Sequence, residues 1–153
     1  MTMLWQALVR RNFLSMGIRG GLGTHAITVY SGAQPEPAAL ITNWDTTYRS
    51  ANSNFLGHYQ GAVWTVANLT DICNLTLPAA VNASNSGDAA WAVLWAASNP
   101  TLASMNAAIP TIQFIIVPCS ISGGTGVIQF AAVAFSAGVS KAIASGQILT
   151  GGL

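Results

Sequence analysis

Apolar residues recur at helical spacing only near the start of the chain. Between positions 3 and 16 they fall on one face of a helix, with the polar residues away from that face. They are Leu4, Trp5, Leu8, Val9, Phe13 and Met16. The glycines from Gly17 onward end the pattern, because glycine accepts the left-handed conformation at a helix end. The pattern predicts an amphipathic helix over about Met3–Met16, within an N-terminal helical arm of residues 1–20.

Farther along the chain, apolar residues alternate with polar ones at the period of a β-strand. The segment His25–Tyr30 alternates in this way, and a turn rich in proline follows it. The strongest strand candidate is Ala89–Ala97, in which Trp91, Val93 and Trp95 fall on one face. The other strand candidates are residues 62–69, 71–77, 111–117 and 126–135.

Turns and less regular segments separate these strands. Ser122–Gly126 is predicted to be a hairpin turn, and Asn99 with Pro100 is predicted to begin one or two helical turns. Asn43–His58 has little periodicity and is interpreted as a long loop or as irregular strands. The tail, residues 138–153, is interpreted as a last strand or as an extended arm. The predicted fold is one mainly β domain over residues 1–153, an antiparallel sandwich or jelly-roll-like barrel with extended terminal arms.

Charged residues are scarce, and this changes the picture of the surface. They make up 6% of the chain, against roughly 25% in ordinary soluble domains. A compact chain of this mass exposes about 7,300 Å², so each of the nine charges has about 800 Å², close to one partner's share of a standard interface. Almost any patch can then be buried without desolvating more than one ion. This favours a homo-oligomeric subunit over a free monomer; a plain compositional bias is the alternative.

Insertion into a membrane is not expected, although 52% of the residues are hydrophobic. The longest apolar runs, Phe114–Val117 and Ala131–Phe135, are far shorter than the ~20 residues that a spanning helix needs. Arg10 and Arg11 lie where a signal peptide has an uncharged core. No secretory signal is therefore predicted, and docking of the N-terminal helix on protein is favoured over docking on lipid.

The residues that carry most enzyme chemistry are few. The four carboxylates lie in or beside predicted turns, and neither His25 nor His58 belongs to a recognisable catalytic motif. Cys73 and Cys119 stand singly in strand-like segments, which favours buried thiols over a metal site. We expect no catalytic residues, no metal and no cofactor.

Two groups of residues are candidates for binding. The predicted assembly contacts on the N-terminal arm are Trp5, Arg10, Arg11 and Arg19. Three arginines give only a weak grip on phosphates, so nucleic acid is not expected to be the main partner. The other group lies in or beside the irregular segment, and would form a recognition loop for a receptor or glycan. Its members are Trp44, Tyr48 and Tyr59.

The stretch Ile27–Ala38, preceded by a short helix that ends in Gly17-Ile-Arg-Gly20, resembles a recurring opening in small tailed-bacteriophage proteins. In those proteins a strand ends in a Ser-Gly-x-x-Pro turn, followed by a linker and an apolar strand, and Ala89–Trp95 matches their later aromatic strand. The similarity covers about the first forty residues. The chain departs from it at Asn43–His58, where the others often carry a linker of Ala, Gly and Thr.

The resemblance implies a virion protein without a catalytic role. The leading hypothesis is a structural subunit of a phage particle, made in the host cytoplasm, that binds copies of itself and other virion proteins. It would be a head decoration or cement protein, a neck component, or a tail or baseplate component. The first alternative is a receptor- or glycan-binding module at the tail tip, and the second is a small hydrolase.

Overall fold

The computed structural model describes residues 4–5, 24–66, 72–95, 99–107 and 114–149. Within these residues the chain forms twelve strands and three short helical segments. The strands are β1 (Leu4–Trp5), β2 (Thr24–Tyr30), β3 (Phe55–Val66), β4 (Ile72–Thr76), β5 (Val81–Asn82), β6 (Gly87–Asp88), β7 (Trp91–Trp95), β8 (Phe114–Ile121), β9 (Ile128–Phe130), β10 (Ala134–Phe135), β11 (Ser140–Lys141) and β12 (Ser145–Leu149). The helical segments are α1 (Pro37–Thr42), a π-helical turn (Trp44–Tyr48) and α2 (Leu102–Ala107).

Seven of the strands close into a barrel. Their order is β8-β7-β2-β3-β4-β12-β9, and β9 pairs again with β8. The neighbours are antiparallel except for β8 and β9, which run parallel with Cys119 opposite Ile128 and Ile121 opposite Phe130. The prediction of a mainly β fold is confirmed.

One apolar cluster draws on all seven barrel strands and therefore fills the barrel interior. Alternate residues of each strand point inward, as the pleat requires. Its inward-facing pairs include Ile27 and Val29 of β2, Ala92 and Leu94 of β7, and Ile115 and Val117 of β8. The two small sheets β5–β11 and β6–β10 pack against the barrel, since Ala83 and Phe135 belong to this cluster and the Ser84 amide donates to the Leu56 carbonyl.

A second apolar cluster covers the outer face of β2, β7 and β8. Trp91, Val93 and Trp95 of β7 point outward and are fully buried, which confirms that they share a face. Leu40, Trp44 and Met105, from the helical segments, pack over them. The wall formed by β2, β7 and β8 is therefore buried on both sides, whereas a surface strand buries only one.

The terminal segments differ from the predicted arms. Leu4 and Trp5 form strand β1, antiparallel to β8, at positions where the sequence predicts helix. The rest of the helix predicted over Met3–Met16 lies outside the described residues. At the other end of the chain, β12 pairs with both β4 and β9 and is one of the barrel strands. The tail is thus a barrel strand as far as Leu149 and not an extended arm.

The prediction that Ser122–Gly126 is a hairpin turn is wrong, because the strands it joins are parallel. Parallel neighbours normally need a crossover of a dozen or more residues. Here the chain doubles back on itself: the Gly124 amide donates to the Ile121 carbonyl at 2.9 Å, and the Gly126 amide donates to Ser120 Oγ at 3.0 Å. A side chain at position 126 would place Cβ 2.6 Å from the carbonyl carbon of Cys119, so the close approach requires glycine.

Candidate functional site

The predicted recognition loop is not a surface feature. Trp44 is 1% exposed, Tyr48 8% and Tyr59 0%, so the prediction of exposed aromatics is wrong. The physical reason is that the outer face of β7 needs a cover. The indole ring of Trp44 lies edge-on to Trp95 with ring centroids 5.5 Å apart, and its Nε1 donates to the Met105 carbonyl at 3.0 Å.

The two tyrosines are held by the core on different sides of the wall. The hydroxyl of Tyr30 donates to the Tyr48 carbonyl at 2.8 Å, beneath the loop. Tyr59 belongs to the barrel interior, where its hydroxyl donates to the Lys141 carbonyl at 3.1 Å. Burial raises the pKa of the phenols of Tyr30, Tyr48 and Tyr59. No glycan can reach their ring faces in this fold.

What the loop does expose is small and mostly neutral. The exposed positions are Asn43, Asp45, Thr46, Ala51 and Ser53. Asp45 forms an ion pair with Arg49 one turn later, with 2.6 Å between Oδ1 and Nη2. An exposed pair of this kind contributes little stability, and it leaves the loop without a net charge to attract a ligand.

The predicted assembly contacts are described at one position. The backbone of Trp5 pairs with that of Ile115 at the outer edge of β8. Arg10, Arg11 and Arg19 lie outside the described residues. The structure therefore places the start of the predicted contact arm beside β8, at the edge of this strand.

A chain of hydrogen bonds that the sequence pattern does not predict runs along the outer face of the wall near α2. Trp95 Nε1 donates to Thr28 Oγ1 at 2.8 Å, and Thr28 Oγ1 lies 2.9 Å from His58 Nδ1. His58 Nε2 lies 2.8 Å from the Pro100 carbonyl, which can only accept. The neutral imidazole therefore carries its proton on Nε2, and Thr28 donates its hydroxyl proton to Nδ1. A threonine between Ile27 and Val29 was the sequence signal for this network.

The hydroxyl–imidazole pair resembles a nucleophile and its base, yet it is built as a structural element. Thr28 is fully buried, so no substrate atom can approach its Oγ1. Both of its hydrogen-bonding roles are already taken by Trp95 and His58. The network satisfies buried polar groups in the covered wall and positions the Pro100 segment over it.

This network makes stability depend on pH. Burial lowers the pKa of His58 below its ordinary value of 6.5, and the hydrogen bond to Pro100 only partly opposes this. The unfolded chain then binds the proton more tightly than the folded chain. The contribution of neutral His58 is complete above pH 6.5 and is lost as the pH falls toward the folded pKa. We expect the free energy of unfolding, measured by urea titration, to fall as the pH is lowered from neutral through 6.5 and below.

The His58→Gln variant separates this effect from the titration of carboxylates. Glutamine keeps an amide donor near the Pro100 carbonyl and does not titrate. The part of the pH dependence that is due to His58 should disappear in the variant, leaving a flatter profile than the wild type has. An equal slope in both proteins would show that His58 does not titrate differently on folding.

The second histidine lies with the barrel core. Trp64 Nε1 donates to His25 Nε2 at 2.8 Å, and the two ring planes are nearly parallel. His25 is fully buried. Because Nε2 accepts this hydrogen bond, the imidazole is neutral with its proton on Nδ1. The site is closed to solvent and carries no substrate cleft.

Both cysteines are free thiols. Cys73 of β4 is buried and Cys119 of β8 is half-buried, and burial raises the pKa of each thiol. Strands β12 and β9 lie between them, which puts three strand spacings, about 14 Å along the wall, between the two residues. This exceeds the ~7 Å limit between Cα atoms for a disulfide. In the part of the chain that the structure describes, no group of three or more metal-ligating side chains occurs.

The surface of the described residues includes an apolar groove and a few exposed apolar side chains. An open groove of about 420 Å³ lies between α1 and the start of β8, lined by Pro37, Ala38, Ile41, Thr42 and Phe114. Among the described residues, the exposed large apolar side chains are Leu77, Ile121 and Val139. These features, together with the edge of β8, suit contact with protein better than capture of a charged small molecule.

None of the helices in the described ranges is long and apolar enough to cross a membrane. No protein-family model, no curated protein and no solved structure matches the chain.

Proposed function

We propose that the chain is a structural subunit of a bacteriophage virion that acts through contacts with copies of itself and with other virion proteins. It would serve in head decoration, in the neck, or in the tail or baseplate, without catalysis or a cofactor. The protein would be made in the host cytoplasm and function in the particle. The phage assignment rests on the resemblance of the Ile27–Ala38 stretch, and the structural role rests on the surface.

The observation that carries the structural role is the shortage of charge on an otherwise well-packed domain. The chain exposes 7256 Å² and has nine charged side chains, or about 800 Å² for each. Two of the described ones, Asp45 and Arg49, neutralise each other within the loop. A neighbour can therefore cover a standard interface and desolvate one ion or none, which avoids the main cost of burying polar surface.

The fold supports the same role. A closed barrel gives a rigid body whose strands are paired around the ring, so neighbours meet a fixed shape. Of the two architectures predicted from sequence, a jelly-roll-like barrel fits a sheet closed by β8 and β9 better than an open sandwich does. The N-terminal segment, which forms strand β1 at Leu4–Trp5, would provide contacts outside the barrel.

Neither alternative function gains support from the described residues. The glycan-binding module depended on Trp44, Tyr48 and Tyr59, and all three are core residues. The hydrolase needs an accessible nucleophile beside its base, and the closest arrangement, Thr28 with His58, is buried and fully engaged.

Light scattering on the purified chain over a range of concentrations tests the structural role. We expect a discrete oligomer or concentration-dependent assembly. Because neutral surface is buried, raising the salt from low concentration to ~1 M, where the Debye length is ~3 Å, should leave the mass unchanged. A monomer at high concentration would contradict self-assembly, and dissociation by salt would contradict a neutral interface.

The phage assignment needs a separate test. An antibody against the recombinant chain should label phage particles released from the host that encodes it, as seen by immunogold electron microscopy. Labelling confined to one part of the particle would identify the head, neck or tail. Particles that purify without the chain would overturn the assignment while leaving its self-assembly intact.

A further inference from the structure

The outer edge of β8 is divided between two partners. On one side of this strand, β7 pairs along Phe114–Pro118. On the other side, β9 pairs from Cys119 onward, and β1 pairs at Ile115 and Ile116. Within the described residues, the stretch of edge before Cys119 is thus occupied by a strand of two residues.

Pro118 marks the end of the stretch of β8 edge that can pair with an added strand. We call this stretch the β8 seat. The amide of Cys119 donates to Ala90 on the β7 side, so odd-numbered amides of β8 face β7 and even-numbered positions face the outer edge. The missing N–H of Pro118 therefore falls on the outer edge, between the positions of β1 and β9. Proline in a strand is tolerated where no ladder bond is needed. The seat for an added strand ends at Val117.

A long stretch of sequence separates β1 from β2. Eighteen residues, Gln6–Gly23, separate Trp5 from the start of β2. Fully extended, they reach up to ~60 Å, whereas a domain of this length has a radius of gyration of only ~15 Å. The chain is long enough to place Leu4 and Trp5 on the β8 of an adjacent copy.

Exchange between copies costs no ladder contact. The same two residues pair with the same edge whether β8 belongs to their own copy or to a neighbour. The ratio of exchanged to intramolecular pairing therefore depends on the effective concentration of neighbouring copies. In a particle the copies are held together. Trp5 pairs with Ile115, which is next in sequence to Phe114, and Phe114 lines the apolar groove with Pro37 and Ile41.

We propose that Leu4–Trp5 of one copy pairs with β8 of a neighbouring copy, so that exchanged N-terminal strands link the subunits. The occupant of the β8 edge is a second copy of this chain, recognised by backbone hydrogen bonds rather than by charge. This inference rests on the proposed function in one respect, which is that copies of the chain must associate.

Disulfide trapping in the full chain tests the exchange. Leu4 lies opposite Ile116, within the distance that a disulfide spans. We expect the Leu4→Cys/Ile116→Cys variant, refolded and oxidised at high concentration, to run mostly as covalent multimers on a non-reducing gel. A mixture of the Leu4→Cys and Ile116→Cys chains, one carrying a size tag, should give a cross-linked heterodimer.

The controls separate the possible failures. Wild type, treated in the same way, reports any cross-linking through Cys73 or Cys119, and each single variant alone reports cross-links between like positions. Light scattering of the reduced double variant gives its oligomeric state. An oligomer whose disulfide is wholly intramolecular would overturn the exchange and leave the proposed assembly standing. A monomer with an intramolecular disulfide would overturn both, and no disulfide at all would overturn the β1–β8 seat.

Discussion

Replacing Gly126 with alanine is expected to lower the free energy of unfolding by about 3 kcal/mol, the cost of a severe overpacking substitution. The new Cβ would lie 2.6 Å from the carbonyl carbon of Cys119 and 2.6 Å from the amide nitrogen of Ser120. Both are backbone atoms of a barrel strand, so neither can swing aside. The doubled-back turn or β8 must move instead, and with it the pair that closes the barrel. A fall in Tm of about 6–12 °C in thermal unfolding follows from this loss.

A second glycine in the same turn provides the control. Gly123 has φ +83°, and no heavy atom lies within 4 Å of where its Cβ would be. Gly123→Ala therefore pays only for the left-handed backbone, about 1 kcal/mol. If Gly126→Ala cost no more than this, the close stacking of the turn on β8 would be wrong.

Thr28→Val should also cost about 3 kcal/mol. Valine has nearly the shape of threonine, so packing in the wall is kept while the hydroxyl is lost. The indole N–H of Trp95 and the Nδ1 of His58 then lose a partner that lies within 2.9 Å of each. An unsatisfied buried polar group costs about 1–3 kcal/mol, and two such groups are created. Urea unfolding followed by circular dichroism or tryptophan fluorescence measures the loss.

The matched control is an exposed threonine on β3. Thr65 Oγ1 donates to the Asn74 carbonyl at 3.3 Å from a solvent-exposed position. Water replaces that bond, so Thr65→Val should change stability by no more than about 0.5 kcal/mol. Equal effects of the two substitutions would show that the Trp95–Thr28–His58 chain adds no stability of its own.

The strands could be predicted where the pattern of side chains records which face is buried. Trp91, Val93 and Trp95 stand at period two, and the structure buries all three on one side of β7. The residues between them, Ala92 and Leu94, are apolar as well, because the opposite face is the barrel interior. An unbroken apolar run over Trp91–Trp95 thus indicates a strand that is buried on both faces.

The cover over that wall could not be predicted, because it has no clean period. α1 is six residues long, and a π-helical turn follows after a single residue, which shifts the angle between successive side chains. From sequence, Trp44 and Tyr48 therefore resemble aromatic residues of an irregular loop. Their burial is decided by the outward indoles of β7, which are distant in sequence and must be shielded from water.

The pairing of the strands also could not be predicted from the alternation of apolar and polar residues. Alternation says which residues face inward but not which strand lies alongside. The parallel pairing of β8 with β9 brings Gly126 against the Cys119–Ser120 peptide, a close approach that alternation does not predict. The binding candidates share this limit, since the edge of β8 exists as a seat only once β7 and β9 have taken their places.

The position of β12 in the barrel has a consequence for the order of events during synthesis. β12 lies between β4 and β9, and its partner Asn74 is far from Gln147 along the chain. As the polypeptide leaves the ribosome, β4 keeps an unpaired edge until β12 has emerged. Unpaired edges of this kind recruit strands from other chains. The barrel can therefore close only after β12 has emerged, and until then the edge of β4 is open to strands of other nascent chains.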